Sequence, residues 1–374
     1  MTPPRILALY STLAVGGAER QLDILARGLR TRDFELVVAT LRHRGKYFES
    51  LRDSGFATAH ANMQSRTDIV GAVRGYNLWR NGPALVLTQS VNAHVIGHAI
   101  ARRAGAAHVA VEQGPGTHLG PQQRGLVRLV ARRVDRVVAV SRAQIPELRR
   151  LGYRTEAIEV IPNGSTEPVP VRSSAEVRRE LGLGERDIVV LLVAALRPEK
   201  RPDVFVEAIK RAHGSEPRIR GVIAGGGPLL DAVRSSGSFD DGIHVLGERS
   251  DIPDLMNCAD VVSLSSDVEG IPLAAVEAMG SSRPVIATDV GGMREVVSTA
   301  TGVLVPPADP ESFSQAILEL AAAPEIRISM GLEARARFVA EFTADLMVER
   351  YARLFDEVLS VSRRAPSDAV ISSG

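Results

Sequence analysis

Short apolar runs alternate with amphipathic segments along nearly all of the 374 residues, and this alternation restricts the fold more than any other feature. It is typical of parallel sheets built from right-handed strand-helix-strand units, whose buried strands are nearly continuous apolar runs. The pattern predicts an α/β protein with two doubly wound parallel-sheet domains. Six strands are expected in each half, at 5–10, 34–40, 84–88, 108–112, 136–140 and 158–161, and at 188–194, 219–224, 243–247, 261–265, 284–288 and 302–305.

The segment 162–174 (PNGSTEPVPVRSS) is rich in Pro, Ser and Gly and lacks periodicity, which is typical of a linker between domains. Two domains imply a cleft between them. The predicted division is an N-terminal domain at 1–165, a linker with a connecting helix at 166–184, a C-terminal domain at 185–342, a helix at 343–364 packing back toward the N-terminal domain, and a tail at 365–374.

Charge is distributed unevenly although the net charge is only +1. Residues 1–165 contain about 23 Lys and Arg against about 12 Asp and Glu, so the N-terminal half is basic. The stretch 122–138 (QQRGLVRLVARRVDRVV) predicts a basic amphipathic helix, which either rests on an anionic membrane surface or packs its apolar face on the sheet with solvated arginines.

The single cysteine, Cys258, excludes an internal disulfide and a cysteine metal cluster, and its apolar surroundings predict burial. The N-terminal residues lack the pattern of a signal peptide, and no apolar run approaches the roughly 20 residues that span a bilayer. We expect a cytoplasmic protein that is neither exported nor transmembrane.

The most informative stretch is 267–297 (DVEGIPLAAVEAMGSSRPVIATDVGGMREVV), which follows a predicted strand. Ligands of open parallel sheets bind at the carboxyl ends of strands, so this is an expected site. Pro272 suits the first position of a helix. The amides of Leu273, Ala274 and Ala275 would then point out of the helix start, where a phosphate could approach.

Two carboxylates flank this helix start, Glu269 in the loop before it and Glu277 about one and a half turns inside it. Carboxylates are poor phosphate ligands but accept hydrogen bonds from hydroxyl groups, which suits the ribose for Glu277 and the transferred sugar for Glu269. The alternative is that Glu277 is a solvated helix residue and Glu269 a partner of the helix dipole.

With two glutamates eight residues apart, a proline and a later Gly-Gly pair, this stretch resembles the signature of the retaining GT-B glycosyltransferases of family 4. The resemblance extends over nearly the whole chain, since other motifs match in order. They are GGAERQLDILARGL, VDRVVAVS, IEVIPNG, LRPEKRPDVFVEAI and IAGGGPLL.

The resemblance implies a GT-B fold with two Rossmann-like domains. The nucleotide-sugar donor is then expected mainly in the C-terminal domain, 185–342, and the acceptor in the basic N-terminal domain, 1–165. Isolated glycine pairs are weak signals, and the alternative is that they are structural turns. The implied donor-binding residues are Gly16, Gly17, Gly226, Gly227, Glu248, Arg249, Gly270, Ile271, Pro272, Leu273 and Glu277.

A cation at a strand's carboxyl end can neutralise the leaving diphosphate, and Lys200 has this place. Similar enzymes have an arginine five positions earlier. Here that position is Ala195, so Arg197 is the nearest substitute, with a surface salt bridge as the alternative. Glu269, Lys200 and Arg197 are the predicted catalytic residues.

The resemblance weakens after the strand HVAVE, where many family members have a histidine near the reacting sugar. This chain has Gln113, which can orient a hydroxyl but cannot act as a base. His118 and His94 are possible replacements, with ordinary surface or helix histidines as the alternative. Family members are thought to react by front-side attack, in which the leaving diphosphate accepts the acceptor's proton.

No Asp pair suited to a metal-bound diphosphate follows a strand, so we expect no metal and no cofactor. The predicted function is retaining transfer of a hexose-type sugar from a UDP- or GDP-sugar to a saccharide, lipid-linked or small-molecule acceptor, in cell-envelope polysaccharide or glycoconjugate synthesis. No nucleic-acid partner is expected. The alternatives are a non-catalytic nucleotide-sugar-binding protein and a nucleotide-sugar 2-epimerase.

Overall fold

The computed structural model describes residues 3–14, 16–65, 68–79, 82–114 and 119–364. The strands in these ranges are β1 (Arg5–Thr12), β2 (Glu35–His43), β3 (Ala57–His60), β4 (Leu85–Gln89), β5 (Ala107–Glu112), β6 (Arg136–Ala139), β7 (Ile158–Val160), β8 (Ile188–Val193), β9 (Ile219–Ala224), β10 (Ile243–Gly247), β11 (Val261–Leu264), β12 (Val285–Thr288) and β13 (Gly302–Val305).

The helices in the same ranges connect most of these strands. They are α1 (Gly17–Leu29), α2 (Lys46–Asp53), α3 (Ile69–Trp79), α4 (Val91–Ala104), α5 (Pro121–Ala131), α6 (Ile145–Arg150), α7 (Ser174–Glu180), α8 (Pro202–Ser215), α9 (Leu230–Ser236), α10 (Ile252–Cys258), α11 (Leu273–Gly280), α12 (Pro310–Ala322), α13 (Pro324–Arg337) and α14 (Ala344–Arg364). None of the described helices is both long and apolar enough to cross a membrane.

The chain divides into two compact units, and each contains one parallel sheet. Unit 1 comprises Met1–Val140, Gln144–Ile161 and Ala344–Gly374, and unit 2 comprises Ser141–Ala143 and Pro162–Thr343. The predicted α/β fold with two doubly wound sheets is confirmed.

The sheet of unit 1 has seven strands in the order β3-β2-β1-β4-β5-β6-β7. The prediction of six strands for this half is wrong because it omits β3. This edge strand pairs only with β2 and is partly exposed, so its sequence, ATAH, has no apolar run. The strand order reverses between β1 and β4, which makes their carboxyl ends the switch point of unit 1.

The sheet of unit 2 has the predicted six strands, in the order β10-β9-β8-β11-β12-β13. Its order reverses between β8 and β11. In doubly wound sheets ligands bind outside the carboxyl ends at such a reversal. The loops after β8 and β11 contain Lys200 and Glu269, so the fold places both predicted residues at the switch point of unit 2.

The chain passes from unit 1 to unit 2 between Ile161 and Pro162, where the predicted linker stretch 162–174 begins, and it also crosses at Ser141–Ala143 and after Thr343. Residues 162–165 belong to unit 2, where the amide of Ser165 donates to the carbonyl of Phe342 at 3.0 Å. The carboxylate of Glu295 accepts the amides of Arg142 and Ala143, both at 2.9 Å, which holds the segment Ser141–Ala143 in unit 2. Helix α14 belongs to unit 1, where its apolar face contributes to the core.

Candidate active site

Lys200 ends a short 3-10 turn, Pro198–Lys200, in the loop after β8. The hydroxyl of Ser265, at the end of β11, donates to the carbonyl oxygens of Lys200 at 3.0 Å and Arg201 at 2.8 Å. These bonds attach the turn to the neighbouring strand across the switch point. Because the carbonyls of Lys200 and of the next residue are both bonded to Ser265, the backbone of Lys200 is held in place.

Glu269 meets Lys200 at this edge of the sheet. The Oε1 atom of Glu269 lies 2.6 Å from Nζ of Lys200 and 2.6 Å from Oγ of Ser266. Only 7% of the Glu269 side chain is exposed, against 26% for Lys200, so water screens this pair less than a surface pair. None of the described residues pairs with Oε2 of Glu269, which leaves that atom able to accept a hydrogen bond from a ligand.

The Gly-Gly pair that follows β12 shapes the loop containing Glu269. Gly291 has a φ of +53°, and a Cβ atom at this position would overlap the carbonyl oxygen of Glu269. A Cβ atom at Gly292 would likewise overlap the carbonyl oxygen of Gly270, and the Gly292 amide donates to the backbone carbonyl of Glu269 at 3.3 Å. Side chains are therefore excluded where the two loops touch.

Helix α11 begins at Leu273, so the prediction that Pro272 is its first residue is wrong by one position. Pro272 is the N-cap residue, with an extended backbone, and its carbonyl accepts the amides of Ala275 at 3.1 Å and Val276 at 3.3 Å. The predicted free amide of Ala275 is thus occupied. The amides of Leu273 and Ala274 have no partner among the described residues and remain able to bind an anion.

Glu277 lies inside α11 and is 6% exposed, which rules out the alternative of a solvated helix residue. The hydroxyl of Ser165 lies 3.5 Å from its Oε1 atom. The Asn163 side-chain amide donates to the carbonyl of Ile271 at 2.8 Å and so supports the loop before the helix. Neither Asn163 nor Ser165 was predicted as a site residue, because a short polar segment was interpreted as part of a linker.

Arg197 is exposed at the start of the 3-10 turn, and its side chain has no partner among the described residues. Its carbonyl accepts the Lys200 amide at 3.0 Å. The surface salt bridge given as its alternative is not formed. The structure brings Lys200 and Glu269 together but leaves Arg197 outside their contact, so its role stays a prediction.

The glycine loop after β9 packs closely against the loop after β8. A Cβ atom at Gly225 would overlap the carbonyl oxygen of Ala194, and Gly227 has a φ of +146°. Gly226 is less restricted, since its Cβ would lie 3.6 Å from Glu248. The carbonyl of Gly226 accepts the Leu196 amide at 2.8 Å. The close contact that Gly225 and Gly227 permit is therefore with the loop after β8.

Glu248 is exposed, whereas the side chain of Arg249 is paired within unit 2. Arg249 donates to Asp251 at 2.8 and 2.7 Å and to Glu180 at 3.0 Å. Its bond to Asp251 in particular raises the pKa of the guanidinium, which stays charged. Because the Arg249 side chain is already paired, only the backbone of this turn is available to contact a nucleotide base.

In unit 1, Gly16 is the extended N-cap residue of α1 and Gly17 its first residue, at the carboxyl end of β1. Gln113 directly follows β5 and is partly buried. His118 lies outside the described residues. These positions leave the predicted roles of Gly16, Gly17 and Gln113 untested.

The prediction that His94 lies at a strand end is wrong. His94 lies inside α4, where it is 1% exposed. Its Nδ1 atom lies 2.8 Å from Oγ1 of Thr88, and its Nε2 atom lies 3.3 Å from Oε1 of Glu112. A histidine shielded in this way cannot touch an acceptor itself. Sequence reasoning missed Glu112, which ends β5 beside the predicted Gln113.

No group of three or more His, Cys, Asp and Glu side chains that could hold a metal ion occurs in the described part of the chain.

Two family models match the chain. A glycosyltransferase family 4 model matches residues 15–165, and a model of glycosyl transferases group 1 matches residues 187–323. The two matches fall in the predicted N-terminal and C-terminal domains and together include most of the chain.

Among curated relatives, N-acetyl-alpha-D-glucosaminyl L-malate synthase of Bacillus anthracis is 26% identical in an alignment 245 residues long that covers 64% of this chain and 64% of the relative. D-inositol 3-phosphate glycosyltransferase of Kineococcus radiotolerans is 32% identical in an alignment 270 residues long that covers 64% of this chain and 60% of the relative. The chain thus spans less than two thirds of the length of these two relatives.

Solved structures agree over a larger part of the chain. HepE of Anabaena in complex with UDP-glucose superimposes with a TM-score of 0.85 at 22% identity, over 94% of this chain and 99% of HepE. Sucrose-phosphate synthase of Thermosynechococcus elongatus superimposes with a TM-score of 0.81 at 18% identity, over 96% of this chain and 100% of the other. The chain therefore has the GT-B fold and belongs to the group 1 glycosyltransferases of family 4.

Proposed function

We propose that this protein is a retaining glycosyltransferase that moves a hexose-type sugar from a UDP- or GDP-sugar to a saccharide, lipid-linked or small-molecule acceptor. The observation that carries the proposal is the contact between Lys200 and Glu269 beside the start of α11. A cation, a hydroxyl-binding carboxylate and two free helix amides converge at one switch point. Together they match a diphosphate linked to a sugar.

In this proposal the diphosphate binds the amides of Leu273 and Ala274 and the ammonium group of Lys200. The Oε2 atom of Glu269 accepts a hydrogen bond from a hydroxyl of the transferred sugar, and Glu277 binds the ribose. The HepE complex with UDP-glucose supports a nucleotide-sugar donor for a protein of this fold. Arg197 can turn toward the diphosphate, since no described residue holds its side chain.

The transfer itself follows front-side attack. The bond from the sugar's anomeric carbon to the diphosphate breaks, and a bond to the acceptor oxygen forms on the same face. The acceptor's proton passes to the leaving diphosphate oxygen. Lys200 stabilises the charge that develops on that diphosphate, so the protein supplies position and positive charge. We propose that neither a metal ion nor a cofactor takes part.

We also propose a cytoplasmic enzyme of cell-envelope glycan synthesis that touches anionic membrane through α5. Leu126 is 38% exposed and Leu129 is 61% exposed, with Arg128 and Arg132 exposed beside them. Exposed leucines among arginines suit a lipid surface that attracts the basic N-terminal half. Flotation with phosphatidylglycerol vesicles at low salt tests this. Binding should weaken in Leu129→Gln, and no binding by the wild type would contradict it.

Thermal shifts with a panel of UDP- and GDP-sugars in EDTA test the donor site. One donor should raise the melting temperature of the wild type, and the shift should be lost in Glu277→Ala. Asp231→Ala is the matched control, because Asp231 is an almost fully exposed carboxylate of the same unit. The site assignment is wrong if no donor stabilises the wild type, or if Glu277→Ala responds as the wild type does.

A further inference from the structure

Three polar residues form a row across the switch point of unit 1. Tyr10 of β1 pairs with Gln89 of β4, and Gln89 pairs with Val111 of β5. The next residue along each of these adjacent strands is Ser11, Ser90 and Glu112. We call these three residues the switch-point row. Neighbouring strands lie about 4.8 Å apart, so the row extends over roughly 10 Å, about the length of one sugar ring with its hydroxyls.

The two serines of the row already touch, since the Oγ atoms of Ser11 and Ser90 lie 2.6 Å apart. Ser90 has φ +86° and ψ +154°, a conformation that is essentially restricted to glycine. A side chain in such a conformation costs free energy, and residues of this kind cluster at ligand sites. The hydroxyl of Ser90 is therefore held at the carboxyl edge despite an unfavourable backbone.

Glu112 is held by the hydroxyl of Tyr153, which lies in the segment after α6. Its Oε1 atom accepts a hydrogen bond from the Tyr153 hydroxyl at 3.0 Å and lies 3.3 Å from Nε2 of His94. The side chain is 16% exposed, and none of the described residues pairs with its Oε2 atom. One carboxylate oxygen is thus fixed from behind, and the other is available at the edge of the sheet.

A chain of hydrogen bonds behind Glu112 sets the direction of the His94 ring. The Oγ1 atom of Thr88 lies 2.8 Å from Nδ1 of His94 and 2.9 Å from Nε2 of His108. The Nδ1 atom of His108 lies 3.3 Å from Nδ1 of the partly exposed His98. Burial lowers the pKa of His108 well below its usual range, so that ring is neutral.

The Thr88 hydroxyl also lies 3.5 Å from the carbonyl oxygen of Val109, which can accept its proton while the hydroxyl accepts from the rings. The Nε2 atom of His94 lies near Glu112 but forms no hydrogen bond with a described residue. Tyr153 is therefore the group that orients the Glu112 carboxylate.

We infer that the switch-point row binds the acceptor of the proposed transfer, that Glu112 accepts a hydrogen bond from one of its hydroxyls, and that the acceptor is a neutral sugar or polyol where it meets this row. Tyr153 is a positioning residue, because its hydroxyl donates to the Glu112 carboxylate. A fixed carboxylate attracts hydroxyl donors and repels phosphate and carboxylate groups. This inference rests on the proposed function, since it names the acceptor of that reaction.

The test uses the full-length protein with the donor found by thermal shift. The acceptors are methyl α-glucoside, glycerol and myo-inositol, each neutral, with glycerol 3-phosphate and L-malate as anionic probes. The wild type should glycosylate a neutral probe at least about tenfold faster than either anionic one. Glu112→Gln should lower kcat/KM for that probe by about 10- to 100-fold, as expected for a hydrogen bond to a charged group.

Two further variants separate binding from a structural role. Ser90→Gly relieves the backbone, so a merely structural serine predicts equal or higher stability and full transfer. We expect unchanged or higher stability with transfer lowered about fivefold. Glu159→Gln is the control, because Glu159 is an exposed glutamate of β7. Transfer by Glu112→Gln and Ser90→Gly at the wild-type rate would overturn the inference, as would a wild type that glycosylates no neutral probe.

The Tyr153 hydroxyl, which donates to Glu112, gives a separate test of positioning. Tyr153→Phe should lower kcat/KM for the neutral probe while the donor-induced thermal shift stays that of the wild type. Transfer by Tyr153→Phe at the wild-type rate would overturn the positioning role. Hydrolysis of the donor by water in the absence of acceptor reports on the proposed function separately, so failure of one claim is distinguishable from failure of the other.

Discussion

The ammonium group of Lys200 lies 2.6 Å from the Oε1 atom of Glu269, although the two residues are 69 positions apart in the chain. The contact exists because the loops after β8 and β11 meet at the switch point of the second sheet. A bound diphosphate would share the lysine with this carboxylate. The glutamate thus holds the ammonium group in place before the donor arrives.

Replacing Lys200 with alanine should slow transfer more than it weakens donor binding. The charge of Lys200 matters most when the diphosphate leaves, so kcat should fall about 10²- to 10³-fold. Donor Kd should rise far less, because the free amides of α11 remain. Steady-state kinetics together with calorimetric titration of the donor separate the two effects.

Lys210 gives the matched control, since it is the only other lysine of unit 2 and forms only a surface pair with Asp241 at 3.7 Å. Lys210→Ala should stay within about twofold of the wild type. Equal losses of kcat in the two variants would contradict the role of Lys200 at the leaving group.

The glycine loop after β9 predicts opposite outcomes for neighbouring substitutions. In Gly225→Ala the new methyl group meets the carbonyl oxygen of Ala194, so the backbone must shift and stability should fall by about 1–3 kcal/mol. Gly226→Ala places its methyl group 3.6 Å from Glu248, and stability should change by less than about 0.5 kcal/mol. Urea denaturation of both variants checks this, and similar midpoints would contradict the described packing.

Asp254 should make the stability of unit 2 depend on acid pH. Hydrogen bonds from the Arg172 side chain at 2.9 Å and from the amides of Val171 and Arg172 lower the pKa of Asp254. Its stabilising effect is therefore present above the unfolded pKa of about 4 and is lost as pH falls through the lower folded value. Asp254→Asn should melt well below the wild type at pH 7, with a difference that shrinks toward pH 3.

The control for this prediction is Asp231→Asn, because the Asp231 side chain is 99% exposed and lies 4.0 Å from Arg234. This variant should melt with the wild type at every pH. The difference in melting temperature between Asp254→Asn and the wild type could instead stay constant from pH 7 to pH 3. In that case the charge of Asp254 does not stabilise its contact with Val171 and Arg172.

Burial of Cys258 should protect its thiol from alkylation. The residue is 1% exposed, and burial raises the pKa of the thiol to about 11. Few thiolates then exist at pH 8, and those are shielded from reagent. Iodoacetamide labelling followed by mass spectrometry should be negligible in the folded protein and complete in urea. Rapid labelling of the folded chain would show that the helix α10 is not packed as described.

Most of the fold could be predicted because buried parallel strands are continuous apolar runs. Strand β3 could not, since an edge strand with one neighbour has no need of apolar residues. His94 was misplaced because the polar residues after β4 are typical of a loop. Helix α4 in fact begins at Val91, and His94 is one of its buried residues.

The sequence placed Lys200, Glu269 and Glu277 at the correct edge, because their motifs directly follow strands. Their partners were not predictable. Ser266 is a single serine three residues before Glu269, and the spacing alone does not show that its hydroxyl contacts the carboxylate. Ser165 is 112 positions from Glu277, and only a tertiary contact brings the two together. Glu112 was not predicted because the resemblance marks the next position, Gln113, as the one near the reacting sugar.

Retention and the role of Glu269 are tested together by ¹H NMR of donor hydrolysis by the wild type in EDTA, recorded before the released sugar mutarotates. With UDP-glucose, or whichever α-linked donor is bound, the α-anomer should appear first, and Glu269→Gln should lower its rate of release at least about 100-fold. Initial release of the β-anomer, turnover only with added metal, or an unaffected Glu269→Gln variant would contradict the proposed mechanism.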